Sequence, residues 1–367
     1  MPHAHLNPPN REFTTEYPDF PNALPTVSLE TISLAKLLLA QDAAEQTRVF
    51  EACKGRGFFY LELSGCEPGD LLARTADKLA RLAEDVFKLP LEEKLTYRAG
   101  LRTGAIDGYK IAGETVVDKA SVDTAEFFNL GKDDMMAPDD KMKKAWPQLI
   151  LSSKPMIREY MTAAHTIGMA IVAILARKLG VDPVEFARRH RMTEESGDHV
   201  RLTRGPPREK EELPEIQTPS HTDFGTITIL MNWLGGLQVW SESSRKAELR
   251  NHEPDTPGEW LWVKPKRGCA IINLGDAAVK FTNGVLCSGR HRVVPAPGLQ
   301  GKYPRFSVVY FVRPENSCIM KQMRGPGIPD GPEEGEEAGM DTREWIKHQV
   351  IGLVDRQRFE MGLGQGS

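Results

Sequence analysis

A chain of 367 residues with a formal charge of −4 and a pI near 6.2 carries neither the basic footprint of a nucleic-acid binder nor a polybasic membrane patch. Its length allows one large domain or two modest ones, and the even spread of apolar residues favours a single catalytic core with extensions. Five cysteines (Cys53, Cys66, Cys269, Cys287, Cys318) without C-x-x-C spacing suggest neither a disulfide framework nor a zinc ribbon, and read as reduced, mostly buried thiols. The N-terminus lacks an apolar signal region, and the longest apolar run, Ile167 to Ala176, is about half a membrane span. The expectation is a soluble cytoplasmic protein with no nucleic-acid or membrane partner; no oligomeric state is specified.

In chain order, residues 1–23 are polar and proline-rich and read as an N-terminal arm. Residues 24–195 form a mixed, largely helical region. Apolar spacing of three and four predicts helices from about Ala35 to Lys54 and from about Gly69 to Lys88, the second stopped by Pro90, with GFFYLELSG as a strand between them. The strongest helical stretch runs from Ser152 to Gly180, with Ile157, Met161, Ala164, Ile167 and Ile171 along one stripe, and reads as a long helix backing a sheet. From about Val200 the texture changes to short β-type runs separated by Gly, Pro and Asn, so residues 196–320 read as a β core. Residues 241–259 read as a connecting loop. In 321–367, the Gly-, Pro- and acid-rich run from Arg324 to Asp341 reads as mobile, and Thr342 is placed as the cap of a last helix containing Trp345.

Within the β core, His221 and Asp223 lie two apart at the start of a strand-like run, so on extended backbone both side chains reach one point. His291 supplies a third donor. Two imidazoles and one carboxylate with open positions form the facial set of non-haem Fe(II) oxygenases, which leaves room for a cosubstrate and O2. Arg305 and Ser307 share a strand face, and a guanidinium fork beside a hydroxyl suits the far carboxylate of a dicarboxylic acid.

With these residues go six ordered motifs: HTDFGTITIL (221–230), GGLQVW (235–240), NLGD (273–276), TNG (282–284), HRVV (291–294) and RFS (305–307). Upstream stand LPTVSLE (24–30), EACKGRGFFYLELSG (51–65), GY (108–109) and DTAEFFNL (123–130). The chain, over roughly residues 24–350, resembles the 2-oxoglutarate/Fe(II)-dependent dioxygenases of the isopenicillin N synthase-like family. The resemblance implies an α+β fold with a mainly β core, a double-stranded β-helix (jelly-roll) with N-terminal helices and a long backing helix. It implies Fe(II) on His221, Asp223 and His291, 2-oxoglutarate as cosubstrate on Arg305 and Ser307, and oxidation of a small, largely apolar metabolite by O2, with succinate and CO2 released. Specialised metabolism is the expected setting. Where the family has Asn-x-Tyr before a Pro-Pro pair, this chain has Thr203 and Gly205, so the usual tyrosine hydroxyl is missing.

Strand alternation past the cradle sets Val309, Phe311 and Arg313 on the face of Arg305, and Arg201 on that of Thr203. In the family these strands line the substrate cavity. Arg201, Thr203, Phe311, Arg313 and Tyr109 are therefore substrate candidates, with the two arginines bringing positive charge near the mouth. The alternative for each arginine is an ion pair with an acid such as Glu315. Arg292 reads as a fold support, Asp276 and Asn283 as turn or supporting groups, and His165, His190, His199, His252 and His348 as ordinary histidines. Three rival functions stay open: a 2-oxoglutarate-independent oxidase of the same fold, a non-catalytic metal-binding sensor, and a metallohydrolase, which would favour zinc and a general base.

Overall fold

The computed structural model describes residues 17–100, 104–118, 121–208, 216–242, 258–331, 337 and 339–360. The chain enters through β1 (Thr31–Ser33), α1 (Leu34–Leu38) and α2 (Ala43–Gly55). One helix was expected across this stretch, but Gln41 turns left-handed at φ 48°. Asp42 then caps a new start, its carboxylate accepting from the N–H groups of Ala44 and Glu45. Strand β2 (Phe58–Glu62) leads to α3 (Glu67–Phe87), which has Pro68 in its first turn. A Cβ on Gly69 would lie 1.9 Å from the Leu63 carbonyl oxygen, so only glycine permits this return.

After α4 (Leu91–Thr96) come β3 (Gly108–Lys110), the small hairpin β4 (Val116–Asp118) and β5 (Ser121–Val122), β6 (Glu126–Gly131), and α5 (Lys132–Met136). Helix α6 (Gln148–Ser152) precedes the long α7 (Lys154–Lys178), followed by α8 (Pro183–Ala187). By length and composition α7 could cross a membrane, but here its apolar stripe, including Ile157, Met161, Ile167 and Ile171, is buried in the main core. The β-rich part holds β7 (His199–Gly205), β8 (Thr218–His221), β9 (Ile227–Asn232), β10 (Leu237–Trp240), β11 (Trp260–Trp262) and β12 (Cys269–Leu274). Helix α9 (Asp276–Phe281), β13 (His291–Val293), β14 (Arg305–Val312) and α10 (Thr342–Glu360) complete the chain.

The strands form an eight-stranded sheet, β1-β2-β12-β9-β14-β7-β6-β3, and a four-stranded sheet, β11-β10-β13-β8. All the pairings are antiparallel except β1 with β2. Alternation sorts side chains between two cores. On β14, Phe306, Val308, Tyr310 and Val312 face the helices with Ile157, Ile167 and Leu79, whereas Val309 and Phe311 join Phe58, Leu230 and Ile271 against Leu237 and Val239 of the smaller sheet. This two-sheet sandwich is the jelly-roll. Four strands of the large sheet, β1, β2, β3 and β6, come from the first 195 residues, so the N-terminal region is hydrogen-bonded into the β core.

Two expectations near the C-terminus need correction. Of the run expected to be mobile, residues 324–331 are held, with Ile328 buried and the Gly327 N–H donating to the Leu179 oxygen; residues 332–336 and 338 lie outside the described residues. The cap of α10 is Asp341, which accepts from Glu344 N–H, while the Thr342 hydroxyl donates to the Cys318 oxygen. Of the connecting loop read at 241–259, residues 243–257 lie outside the described residues, as does the arm over 1–16. Residues 17–23 of that arm are packed: Phe20 is buried and Gln300 donates to the Pro18 oxygen.

Buried histidine gives the fold a pH dependence. His190 sits between the Phe186 carbonyl and the Thr226 hydroxyl, and burial pushes its pKa down from 6.5 to about 4 despite the hydrogen bond to Phe186. Below 6.5 the unfolded chain binds a proton that the folded one refuses, so stability is full above 6.5 and falls as pH drops towards about 4. The loss from this residue is about 3 kcal/mol. Urea unfolding at pH 7 and 4.5 should show a steeper decline for the wild type than for His190→Gln. Parallel declines would clear His190 of the effect.

Candidate metal centre

His221 ends β8 and His291 opens β13, and the two are direct partners in the antiparallel ladder, so adjacent strands deliver their rings side by side, centroids 4.3 Å apart. Asp223 lies just past β8. Its Oδ1 is 3.8 Å from His221 Nε2 and 4.0 Å from His291 Nε2, and the donor atoms of all three residues lie within 4.8 Å of one another.

The hydrogen bonds around the triad test its fitness for a divalent metal. His221 Nδ1 lies 2.8 Å from the Pro219 oxygen and His291 Nδ1 3.0 Å from the Gly289 oxygen. A carbonyl only accepts, so each Nδ1 carries the proton and each Nε2 presents its lone pair to the centre. Burial, then the neighbouring His291, pushes His221 down to about 3, which keeps it neutral. Burial opposes ionisation of Asp223, but the adjacent histidines and hydrogen bonds from Thr228 and Asn273 hold its carboxyl below the ordinary range. Both bonds go to Oδ2, from the Thr228 hydroxyl at 2.6 Å and the Asn273 amide at 2.7 Å, leaving Oδ1 turned to the imidazoles. Two neutral imidazoles and an oriented carboxylate fit Fe(II).

The triad lines a cavity of about 70 Å³ together with Arg201, Thr203, Arg305, Ser307 and Phe311 and the apolar Phe58, Leu230, Leu237 and Val309. Register explains this wall. On paired strands β14 and β7, Arg305 stands opposite Gly205, Ser307 opposite Thr203, Val309 opposite Arg201 and Phe311 opposite His199, all on one face. Arg305 is buried, which lowers its pKa to about 10, and it donates Nε–H to the Gly235 oxygen at 2.9 Å. At Gly205, where the family's tyrosine would stand, an added Cβ would lie 2.2 Å from the Gln217 carboxamide, so Gln217 fills the space.

Two substrate candidates sit elsewhere than expected. Tyr109 is not on the cavity: it is buried against Phe128 and its hydroxyl donates to Glu126 at 2.6 Å. Its strand, β3, is the far edge of the large sheet, four places from β9, too remote to reach the triad. Arg313 lies past the end of β14, where its side chain passes Gly197 and Gly225; it is 5 % exposed, so it is an interior group and not one at the mouth. Glu315 pairs with Arg191 and with neither candidate arginine. Arg292 donates to Gln238 and stacks over Trp260, a structural role. Asp276 accepts from Thr222, and Asn283 donates to the Pro329 oxygen. Of the remaining histidines, His165 lies 3.4 Å from Asp198, His348 is half exposed near Glu337, and His252 lies outside the described residues.

Sequence reasoning missed the clamp on Asp223. Asn273 and Thr228 are cross-strand partners on β12 and β9, and both face inward beside the apolar Ile271 and Leu230. A polar residue at an inward strand position was the available signal. Asn273→Ala should weaken iron affinity roughly tenfold to a hundredfold while leaving the fold intact. An unchanged affinity in metal titration would remove the clamp from the site.

Known proteins share this sequence pattern and fold. A family model described as the 2OG-Fe(II) oxygenase superfamily matches residues 196–314, and one described as the N-terminal region of non-haem dioxygenase in morphine synthesis matches residues 25–149. The chain is 33 % identical over 345 residues to a 2-oxoglutarate-dependent dioxygenase of Aspergillus fumigatus, covering 90 % of this chain and 87 % of that one. It therefore belongs to the 2OG-Fe(II) oxygenase superfamily and is a 2-oxoglutarate-dependent dioxygenase using Fe(II) and O2. An oxoglutarate-dependent flavonoid 7-O-demethylase of Ocimum basilicum is 29 % identical, covering 79 % of this chain and 70 % of that one. Among solved structures, a full-length Neurospora crassa protein in complex with alpha-KG superposes with a TM-score of 0.69 at 21 % identity, covering 88 % of this chain and 95 % of that one. A 2OG-Fe(II) oxygenase family protein from Caulobacter crescentus gives 0.68 at 24 % identity, covering 89 % and 100 %.

Proposed function

We propose that His221, Asp223 and His291 hold Fe(II), that Arg305 and Ser307 hold the far carboxylate of 2-oxoglutarate, and that a small, largely apolar metabolite of specialised metabolism is oxidised in the same cavity. The observation carrying this reading is that three convergent donors and the Arg305–Ser307 pair line one cavity with an apolar wall of Phe58, Leu230, Leu237, Val293, Val309 and Phe311. Fungal 2-oxoglutarate-dependent dioxygenases and a flavonoid demethylase among the relatives support the substrate class.

Fe(II), with 2-oxoglutarate and O2, supplies the oxidising power: one oxygen atom goes to succinate, CO2 is released, and in a hydroxylation the other atom enters a C–H bond of the substrate. The chain does the rest. Pro219 and Gly289 fix the tautomers of His221 and His291, and Asn273 and Thr228 aim Asp223. Arg305, tethered through Nε to Gly235, would offer its terminal N–H groups to the far carboxylate of the cosubstrate beside the Ser307 hydroxyl. Phe58, Leu230, Leu237 and Val309 exclude water and seat the apolar body of the substrate.

Incubation of the iron-loaded protein with 2-oxoglutarate, O2 and an extract of the producing organism, followed by mass spectrometry, should give an oxidised metabolite with equimolar succinate. Oxidised product without succinate would favour the 2-oxoglutarate-independent oxidase. Absence of turnover with all extracts would favour the sensor.

A further inference from the structure

We infer that the substrate is a monoanion, an apolar body carrying one carboxylate or comparable planar oxyanion, and that Arg201 is the residue that grips it. The inference rests on the placement of Fe(II) and 2-oxoglutarate just proposed. Arg201 lines the cavity two positions along the paired strands from Ser307 and Thr203, about 7 Å further on. Its guanidinium is held in place: Nε–H donates to Asn129 Oδ1 at 2.7 Å, and Cζ lies 4.1 Å from the Phe127 ring centroid and 4.9 Å from that of Phe311. Asn129 is its cross-strand partner, so a neutral residue stands where an acid would have closed an ion pair. With Nε committed and the faces against aromatic rings, the free edge is the terminal N–H pair, which binds a carboxylate end-on.

A second observation points the same way. Behind Phe311, just past the end of β14, Arg313 is buried with Nε and Nη1 lacking any hydrogen-bond partner, and its Cζ is 5.9 Å from the Phe311 ring. His199, stacked on Phe311 at 4.6 Å, has a buried and equally unpartnered Nε2. Among the described residues no carboxylate lies within ion-pair distance of Arg201 or Arg313. Asp198 is engaged by the Arg313 backbone N–H and the Tyr310 hydroxyl, and Asp107 acts on Arg313 only at longer range.

Charge accounting then selects the ligand. In the loaded site the two charges of Fe(II) and the one on Arg305 offset Asp223 and the two carboxylates of 2-oxoglutarate. Arg313 is faced by Asp107 and Asp198, whereas Arg201 is faced by Asp223 alone, whose charge the metal takes up, so the unpaired positive charge in this poorly hydrated place is that of Arg201. An unpaired buried charge is costly, and a substrate anion at Arg201 removes that cost. A neutral substrate of the same shape leaves it in place.

Calorimetric titration of the full-length protein, loaded with Mn(II) and saturating 2-oxoglutarate under nitrogen, tests this with matched probes: phenylacetate and cyclohexanecarboxylate against phenylacetamide and cyclohexanecarboxamide. The acids should bind at least about tenfold more tightly than the amides, the span of a charge-assisted hydrogen bond. Arg201→Met should erase that difference, and Arg201→Lys, which keeps charge and stem, should retain part of it. Acids and amides binding alike, no acid binding, or a preference that survives in Arg201→Met overturns the inference. The affinity for 2-oxoglutarate itself separates the two assignments: it should fall in Arg305→Met. If it falls in Arg201→Met and not in Arg305→Met, the placement of the cosubstrate is what fails, and the assignment of Arg201 to substrate fails with it.

Discussion

Asp223→Ala should abolish turnover and strip the protein of iron under conditions in which the wild type stays loaded. The carboxylate is the only anionic donor in the triad, and an imidazole ligand brings no negative charge, so Asp223 alone offsets the charge of a divalent ion. Its Oδ2 is occupied by Thr228 and Asn273, so no second orientation of the side chain is available to be mimicked by a neighbour. The measurement is metal content after desalting together with succinate formation at saturating Fe(II). A variant that turns over at the wild-type rate when loaded would take Asp223 out of the ligand set.

Arg305→Lys should raise the KM for 2-oxoglutarate by roughly tenfold or more while kcat at saturation changes far less. Arg305 reaches the cavity across Gly235 and Gly236; a Cβ on Gly236 would lie 2.9 Å from Arg305 Nε, so the passage exists because glycine is there. The Gly235 oxygen fixes Nε and leaves the terminal N–H groups for the cosubstrate. A lysine ammonium keeps the charge but lacks the planar fork, so it cannot offer two parallel N–H groups to the carboxylate while a separate N–H holds the tether. An unchanged KM would show that another group anchors 2-oxoglutarate.

The chemistry-bearing residues were legible in the sequence because strand alternation is a local property: two residues apart means one face, and ladder register carried that from Arg305 through Ser307 and Val309 to Phe311. It stopped at Arg313, since β14 ends at Val312 and alternation says nothing of a residue beyond the last ladder bond. Tyr109 was misplaced for a different reason. Its two-residue motif gives no strand order, and strand order put β3 at the outer edge. The break between α1 and α2 was hidden because apolar spacing runs through it, whereas the N-cap at Asp42 is a matter of one carboxylate and two backbone amides. Likewise a polar residue at an inward strand position marks Asn273 and Thr228 singly, but their meeting on Asp223 depends on a pairing across 45 residues.

The two sheets also divide the labour of the site. His221 and His291 belong to the four-stranded sheet, Arg305 and Ser307 to the eight-stranded one, and side chains of both layers pack together around the cavity. A cosubstrate chelated at one layer and clasped at the other is a strut across the sandwich. Its binding free energy is then added to the cohesion of the layers, by RT ln(1 + [L]/Kd) once metal is present. Amide exchange on β8 and β13 should therefore slow when 2-oxoglutarate spans this seam.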